Sequence, residues 1–343
     1  MGEAIITSRS AAQEEAVPVV PGYHTVLVTL RDYQGKLLKD YPINCKDGDS
    51  WYNYKTNETG KALFTCNSGK ANISVNNMVD GYRYLDFPNY NMNCDCPIGG
   101  QTRLAFNIPK TTTLNFSFGP GTSQIRFLHN QECSGYIVGG GGGGSYYSGG
   151  WISSKSAGGG GGYLNYINNC TFKANDNISI VVGWGGRGGT DVGKPGNTGG
   201  TSYISNYSYS ANGGQGGNTT LGRGGIGFGN GAYSEGRWSS YPQISKFIAP
   251  TNSGSSIAGG GGGAAAQPLT SDSSNNNYVK GYPFGGFPAY GSMYGPWSRA
   301  TSGSNPGGGG AGSCTDGGGS WSNCVGPGGN GGSGICKLNM INY

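Results

Sequence analysis

Runs of consecutive glycines do most to restrict what this chain can fold into. Five or six stand together at 139–144, 158–162 and 259–263, and four at 307–310. The pattern GGxGG recurs at Gly185–Gly189, Gly213–Gly217 and Gly328–Gly332. Ordering glycine removes more backbone freedom than ordering any other residue, so such runs disfavour helix and isolated strand alike. A flexible linker is the simplest alternative. Collagen is excluded, because no G-X-Y register persists. One ordered solution remains. A polyproline-II helix has no internal hydrogen bonds, so its N–H and C=O groups point outward; without side chains, parallel helices of this kind can approach and bond laterally.

The rest of the sequence decides between linker and lattice. The glycine runs are separated by segments rich in Trp, Tyr, Ile and Val, which linkers avoid. Disordered chains combine low hydrophobicity with high charge and few rings. Here only 11% of residues are charged, while 23 Tyr, 11 Phe and 6 Trp are present. Each ring can bury roughly 150–250 Å². Strands are predicted on both sides of the glycine region, in TTTLNFSF, SQIRFLHN and YIVGG before it and GICKLNMINY after it, with another inside it at 177–183. The expectation is an ordered lattice.

Three segments are predicted. Residues 1–21, polar with two prolines, form an extended arm. Residues 22–112 form a β-sandwich. HTVLVTLRD alternates with period two, placing Val26, Val28 and Leu30 on one face and Leu27 and Thr29 on the other. Turns follow at 32–35 and 57–60, and strands at 40–45, 61–66, 72–75 and 104–108. Residues 113–343 form the glycine-rich domain. The fold class is therefore all-β and irregular, an N-terminal β-sandwich followed by packed polyproline-II segments framed by strands.

Charge and cysteine usage narrow the function classes. Residues 113–343 hold 11 basic and six acidic side chains, against 11 of each before them, with no Lys/Arg cluster. Nucleic acid is not the expected partner. The start, MGEAIITSRSAAQEEAVPVV, has no basic region followed by an apolar run, so no signal peptide is predicted. No apolar stretch reaches the roughly 18 residues of a membrane span, so no membrane insertion is expected. Nine cysteines read as buried free thiols of a protein made in a reducing compartment. Cys94-Asp-Cys96 lacks metal-site spacing, and only two histidines are present. No metal and no cofactor are expected. His24 and His129 read as strand residues, and no catalytic motif is visible, so the chain reads as a non-enzyme.

Two resemblances follow from these residues. VTLRDYQGKLLKDYPINCKDG with TNETGKALFTCNSGKANISV resembles the carboxypeptidase-regulatory or transthyretin-like sandwich family over about 60 residues. That resemblance implies a spacer or adhesive module. The ordered series YIVGGGGGG, AGGGGGY, ISIVVGWGGRGG, GNTGGTSY, ANGGQGG and GGNGGSGICKL resembles the glycine-rich domain of phage tail and fibre proteins over roughly 210 residues. This second resemblance implies stacked polyproline-II helices with receptor-reaching loops between them. It also implies a place in the virion, a bacterial surface polysaccharide or outer surface protein as receptor, and attachment to other tail proteins through the N-terminal region. A structural tail component without receptor role, or a bacterial surface adhesin, is the alternative.

The glycine runs need their polar groups for one another, so recognition falls to the inserts. The two longest, 232–258 and 264–306, mix rigid rings with Ser, Asn and Gly as antibody-type binding surfaces do. The candidate receptor-binding residues are Arg237, Trp238, Tyr241, Tyr282, Phe284, Phe287, Tyr290, Tyr294, Trp297 and Arg299. The shorter inserts at 145–157 and 201–212 come next.

Overall fold

The computed structural model describes residues 17–87, 89–108, 113–148, 153–191, 193–220, 225–231, 233–239, 241–248, 300–304, 306–315 and 327–341. Among these residues the chain is all-β and contains no helix.

Nine strands lie before residue 108: β1 (His24–Arg31), β2 (Pro42–Asp47), β3 (Ser50–Lys55), β4 (Lys61–Cys66), β5 (Gly69–Val75), β6 (Met78–Val79), β7 (Tyr82–Tyr84), β8 (Tyr90–Cys96) and β9 (Gln101–Asn107). Seven of them make two sheets, ordered β4-β1-β9 and β3-β2-β5-β8. The alternation in β1 buries Val26, Val28 and Leu30 completely. They pack with Ile43, Phe64, Ile73 and Val75 from the neighbouring strands. The turn after β1 closes because the Asp32 carboxylate accepts the N–H groups of Gln34 and Lys36, both at 2.9 Å. Gly35 takes a φ of 81° there, which glycine reaches without steric cost. β3 (SWYNYK) was not predicted. It is an edge strand, exposed along its whole length, so no hydrophobic alternation marks it.

The β6–β7 hairpin pairs with neither of these sheets, although Val79 and Tyr84 pack in their core. β7 pairs in parallel with β11 (Gly121–Arg126), well beyond the sandwich in sequence. It thereby joins a six-stranded sheet, β18-β17-β16-β11-β7-β6, that includes β16 (Ile178–Val182), β17 (Ser202–Ile204) and β18 (Tyr209–Ala211). A four-stranded sheet accompanies it, with β10 (Thr113–Phe118), β12 (Gln131–Val138), β15 (Leu164–Phe172) and β22 (Ile335–Ile341) in the order β10-β22-β12-β15. The last strand of the chain thus sits inside its sheet. A second core joins the two sheets through Ile125, Phe127, Ile137, Phe172, Ile180 and Leu338. Phe127 stacks on Phe172 with centroids 5.6 Å apart.

The glycine lattice is built on these two sheets. Gly139–Gly144 leaves β12 as its central segment, and all six residues are buried. Each N–H of the segment bonds outward to one of three chains that run the opposite way. Gly140 and Gly143 donate to Gly200 and Asn197, Gly141 and Gly144 to Gly332 and Gly329, and Gly139 and Gly142 to Tyr163 and Gly160, at 2.8–2.9 Å. Its carbonyls accept from three chains that run the same way. Gly186 and Gly189 donate to Gly141 and Gly144, Gly214 and Gly217 to Gly140 and Gly143, and Gly310 to Gly142. Each partner chain is met every third residue, and no glycine of the segment has a positive φ. Bonds directed outward with period three define polyproline II. Lateral bonding of parallel helices was the expectation; here neighbours of both directions alternate around the centre, because the chain must return after each pass. Glycine is obligatory at these positions, since a β-carbon on Gly142, Gly143 or Gly144 would collide with the carbonyl of Gln215, Arg187 or Ala311.

Candidate functional site

The lattice has two dissimilar ends. At one end its segments leave from or enter strands of the two sheets, β12, β15, β16, β17, β18 and β22. Ser202 ties that end together: its buried hydroxyl donates to the Val138 carbonyl at 2.7 Å and accepts the Gly183 N–H at 2.9 Å. At the far end the chain makes short strands of its own. β13 (Tyr146–Ser148) pairs in parallel with β21 (Ser313–Thr315). β14 (Ser153–Ala157), β19 (Tyr233–Ser239) and β20 (Tyr241–Ile248) form a three-stranded sheet. The junction is sealed by Ser145, which is fully buried. Its N–H donates to the Ala157 carbonyl at 2.8 Å, and its hydroxyl accepts the Ala157 N–H at 3.0 Å.

The first long insert is a hairpin rather than the loop expected over 232–258. β19 pairs with β20 and, on its other side, with β14. Arg237 stands opposite Ser153 and Gln243, Trp238 opposite Pro242, and Tyr241 opposite Ser239 beside the turn. At about 3.3 Å per residue, the hairpin carries these three positions roughly 13–20 Å from its root at Tyr233. The sequence hid it because YSEGRWS and YPQISKFI do not alternate cleanly, and the register shifts between Glu235 and Gly236.

Tyr282, Phe284, Phe287, Tyr290, Tyr294, Trp297 and Arg299 lie outside the described residues, as do Gly259–Gly263. Their insert nevertheless starts and ends at the far end of the lattice. It departs after Ile248, which pairs with Tyr233. It returns by Thr301, whose carbonyl accepts the Ala311 N–H at 3.2 Å.

Of the two shorter inserts, 145–157 also belongs to the far end, through β13 and β14. Residues 201–212 do not. They form the β17–β18 hairpin at the sheet end, where Ile204 and Ala211 are buried. The Tyr207 ring stands edge-on to Phe172 at 4.7 Å, and its hydroxyl accepts the Lys173 N–H and donates to Asp176. Tyr207 thus serves the core, whereas Tyr203 of the same hairpin is exposed.

The titratable groups serve the frame. His24 is held between the Pro97 carbonyl at 2.8 Å and the Thr102 hydroxyl at 2.7 Å. His129 sits where the sandwich meets the glycine-rich region, with Nε2 3.1 Å from Asp32 and Nδ1 3.4 Å from Asp86. The hydrogen bond it donates to the Asp86 carboxylate, reinforced by Asp32, raises its pKa above the ordinary histidine value. Burial pushes the thiols of Cys133 and Cys336 up to about 12. Among the described residues no group of three or more His, Cys, Asp or Glu side chains is placed to hold a metal ion.

A β-frame that holds a bundle of polyproline-II segments, and carries most of its inserts to the far end, defines a glycine-lattice scaffold. The sequence agrees with that class. The chain belongs to the glycine-rich domain family, whose pattern matches residues 117–340. No curated protein is significantly similar to the chain.

Proposed function

We propose that the protein is a receptor-binding adhesin of a phage tail fibre or tail tip, acting by adhesion and not by catalysis. It recognises a bacterial surface polysaccharide or outer surface protein through the inserts at the far end of the lattice. The sandwich, in this reading a carboxypeptidase-regulatory or transthyretin-like module, is the spacer, and the N-terminal region joins other tail proteins. The observation that supports the reading is the sorting of inserts. Four of them (145–157, 190–193, 232–300 and 313–327) leave the lattice at the end away from the two sheets. A rigid body with one decorated end suits delivery of a contact surface, and Trp, Tyr and Arg concentrate interface energy.

The test is adsorption of the purified protein to susceptible cells, measured beside thermal stability. Trp238→Ala and Trp297→Ala should lose adsorption while melting as the wild type does. If both variants adsorb normally, the contact surface is elsewhere. If the wild type binds no bacterial surface yet is incorporated stoichiometrically into particles, the protein is a structural tail component.

A further inference from the structure

We propose that the flank of the lattice carries a second binding site, a groove for a carboxylate-bearing glycan built on Trp184 and Arg187. Three residues complete a polyproline-II turn, so positions 184 and 187 share one side of the 183–189 segment, about 9 Å apart at ~3.1 Å per residue. That side faces solvent, and Trp184 is 65% exposed. The lattice takes the other sides: Gly186 and Gly189 donate to the central segment, while the Trp184 and Arg187 carbonyls accept from Gly200 and Asn197. The N–H groups of Trp184 and Arg187 take no backbone partner among the described residues. Between this ridge, the returning 197–200 chain and the ends of β11 and β16 opens a groove of about 450 Å³, with Thr122, Asn197 and Thr198 in its walls.

The chemistry of the groove selects the ligand. A ring 65% exposed does not seal the lattice; it offers an apolar face with a polar edge, which suits the C–H face of a sugar. The amide, the hydroxyls and the Trp184 and Arg187 backbone N–H groups match sugar hydroxyls. The floor is glycine backbone, with Val181 and Val182 beside it. Arg187 makes no ion pair among the described residues. A guanidinium pairs with a carboxylate through two parallel hydrogen bonds. A ring-stacking residue one turn from an unpaired arginine is complementary to a chain of sugars that carries carboxylates. The signal was legible in G-W-G-G-R-G, a Trp and an Arg three residues apart within a glycine tract.

Oligogalacturonate and oligosialate, each beside its carboxyl-reduced neutral form, are titrated by calorimetry into the full-length protein at low ionic strength. The protein should prefer the acidic forms. Trp184→Ala should weaken binding roughly tenfold or more. Arg187→Ala should abolish the preference for the acidic form, with partial recovery in Arg187→Lys, and melting should be unchanged in all three variants. The proposal is overturned if neither acidic glycan binds, or if Trp184→Ala binds as the wild type does. It is also overturned if Trp184→Ala converts an oligomer into a monomer, since the groove is then a contact between copies. A protein with its β19–β20 hairpin deleted should keep this binding, so the groove and the far-end adhesin surface fail or succeed separately.

Discussion

Gly142 shows what a single residue contributes. It donates to Gly160 and accepts from Gly310, and a β-carbon there would meet the Gln215 carbonyl. A carbonyl held in a lattice cannot rotate away as a side chain does, so Gly142→Ala must push two segments apart. We expect a loss of about 3 kcal/mol or more, at the upper end of overpacking costs. Gly119 is the control, because nothing lies within 4 Å of its β-carbon position and its φ is not positive. Gly119→Ala should change stability by no more than about 0.5 kcal/mol. Paired denaturant melts measure both, and equal melting of the two variants would show that Gly142 is not packed as described. The thiols are a second readout at this scale. Cys45, Cys66, Cys96, Cys133, Cys170 and Cys336 are buried and free, and burial disfavours the thiolate that reacts. Iodoacetamide at pH 8, mapped by mass spectrometry, should leave all six unmodified until the protein is unfolded.

At the scale of elements, the lattice behaves as one unit because every bond of its central segment is to another chain. Polyproline II has no local hydrogen bonds to keep while its neighbours leave. The amides of Gly140–Gly144 should therefore exchange only on global unfolding, despite sitting in an oligoglycine run. Exchange at the unprotected rate in this run, by hydrogen–deuterium mass spectrometry, would remove the lattice from the account. Strand legibility follows from burial. β1 and β4 were readable since one face of each is buried. β3 escaped because both its faces meet solvent. The β19–β20 hairpin escaped because its residues also suit a contact loop, and that hairpin carries three of the predicted site residues.

Across the whole molecule, the sandwich and the glycine-rich region are joined by the β7–β11 pairing and by His129. Both ring nitrogens of His129 face carboxylates, and its Tyr33 contact lies at 4.8 Å between centroids. The Asp86 carboxylate also accepts the N–H groups of Leu128 and His129. A histidine whose pKa is raised on folding binds its proton more tightly in the folded state. Its contribution is complete below the ordinary value of 6.5 and fades as pH rises through the raised one. The wild type should lose stability relative to His129→Gln as pH increases from slightly acid to alkaline. The comparison is melting temperature against pH, and parallel curves for the two proteins would show that the junction holds no proton-linked contact.

The sequence by itself determined the conformations. Alternation specified the buried faces of β1 and β4, and oligoglycine admitted a bonded polyproline-II lattice once the surrounding rings had argued against a linker. Arg237, Trp238 and Tyr241 could be named as contact candidates from residue type. The tertiary structure decided the partners: that Gly139–Gly144 is the centre, that its neighbours alternate in direction, that β7 pairs with β11 rather than with a strand of the sandwich, and that β22 closes inside its sheet. The division has a physical reason. Side-chain patterns record which face of an element is buried, whereas a glycine segment bonds through backbone groups that are the same at every position. Nothing local distinguishes one glycine run from another as a neighbour, so the choice is left to the strands that deliver each run to its place.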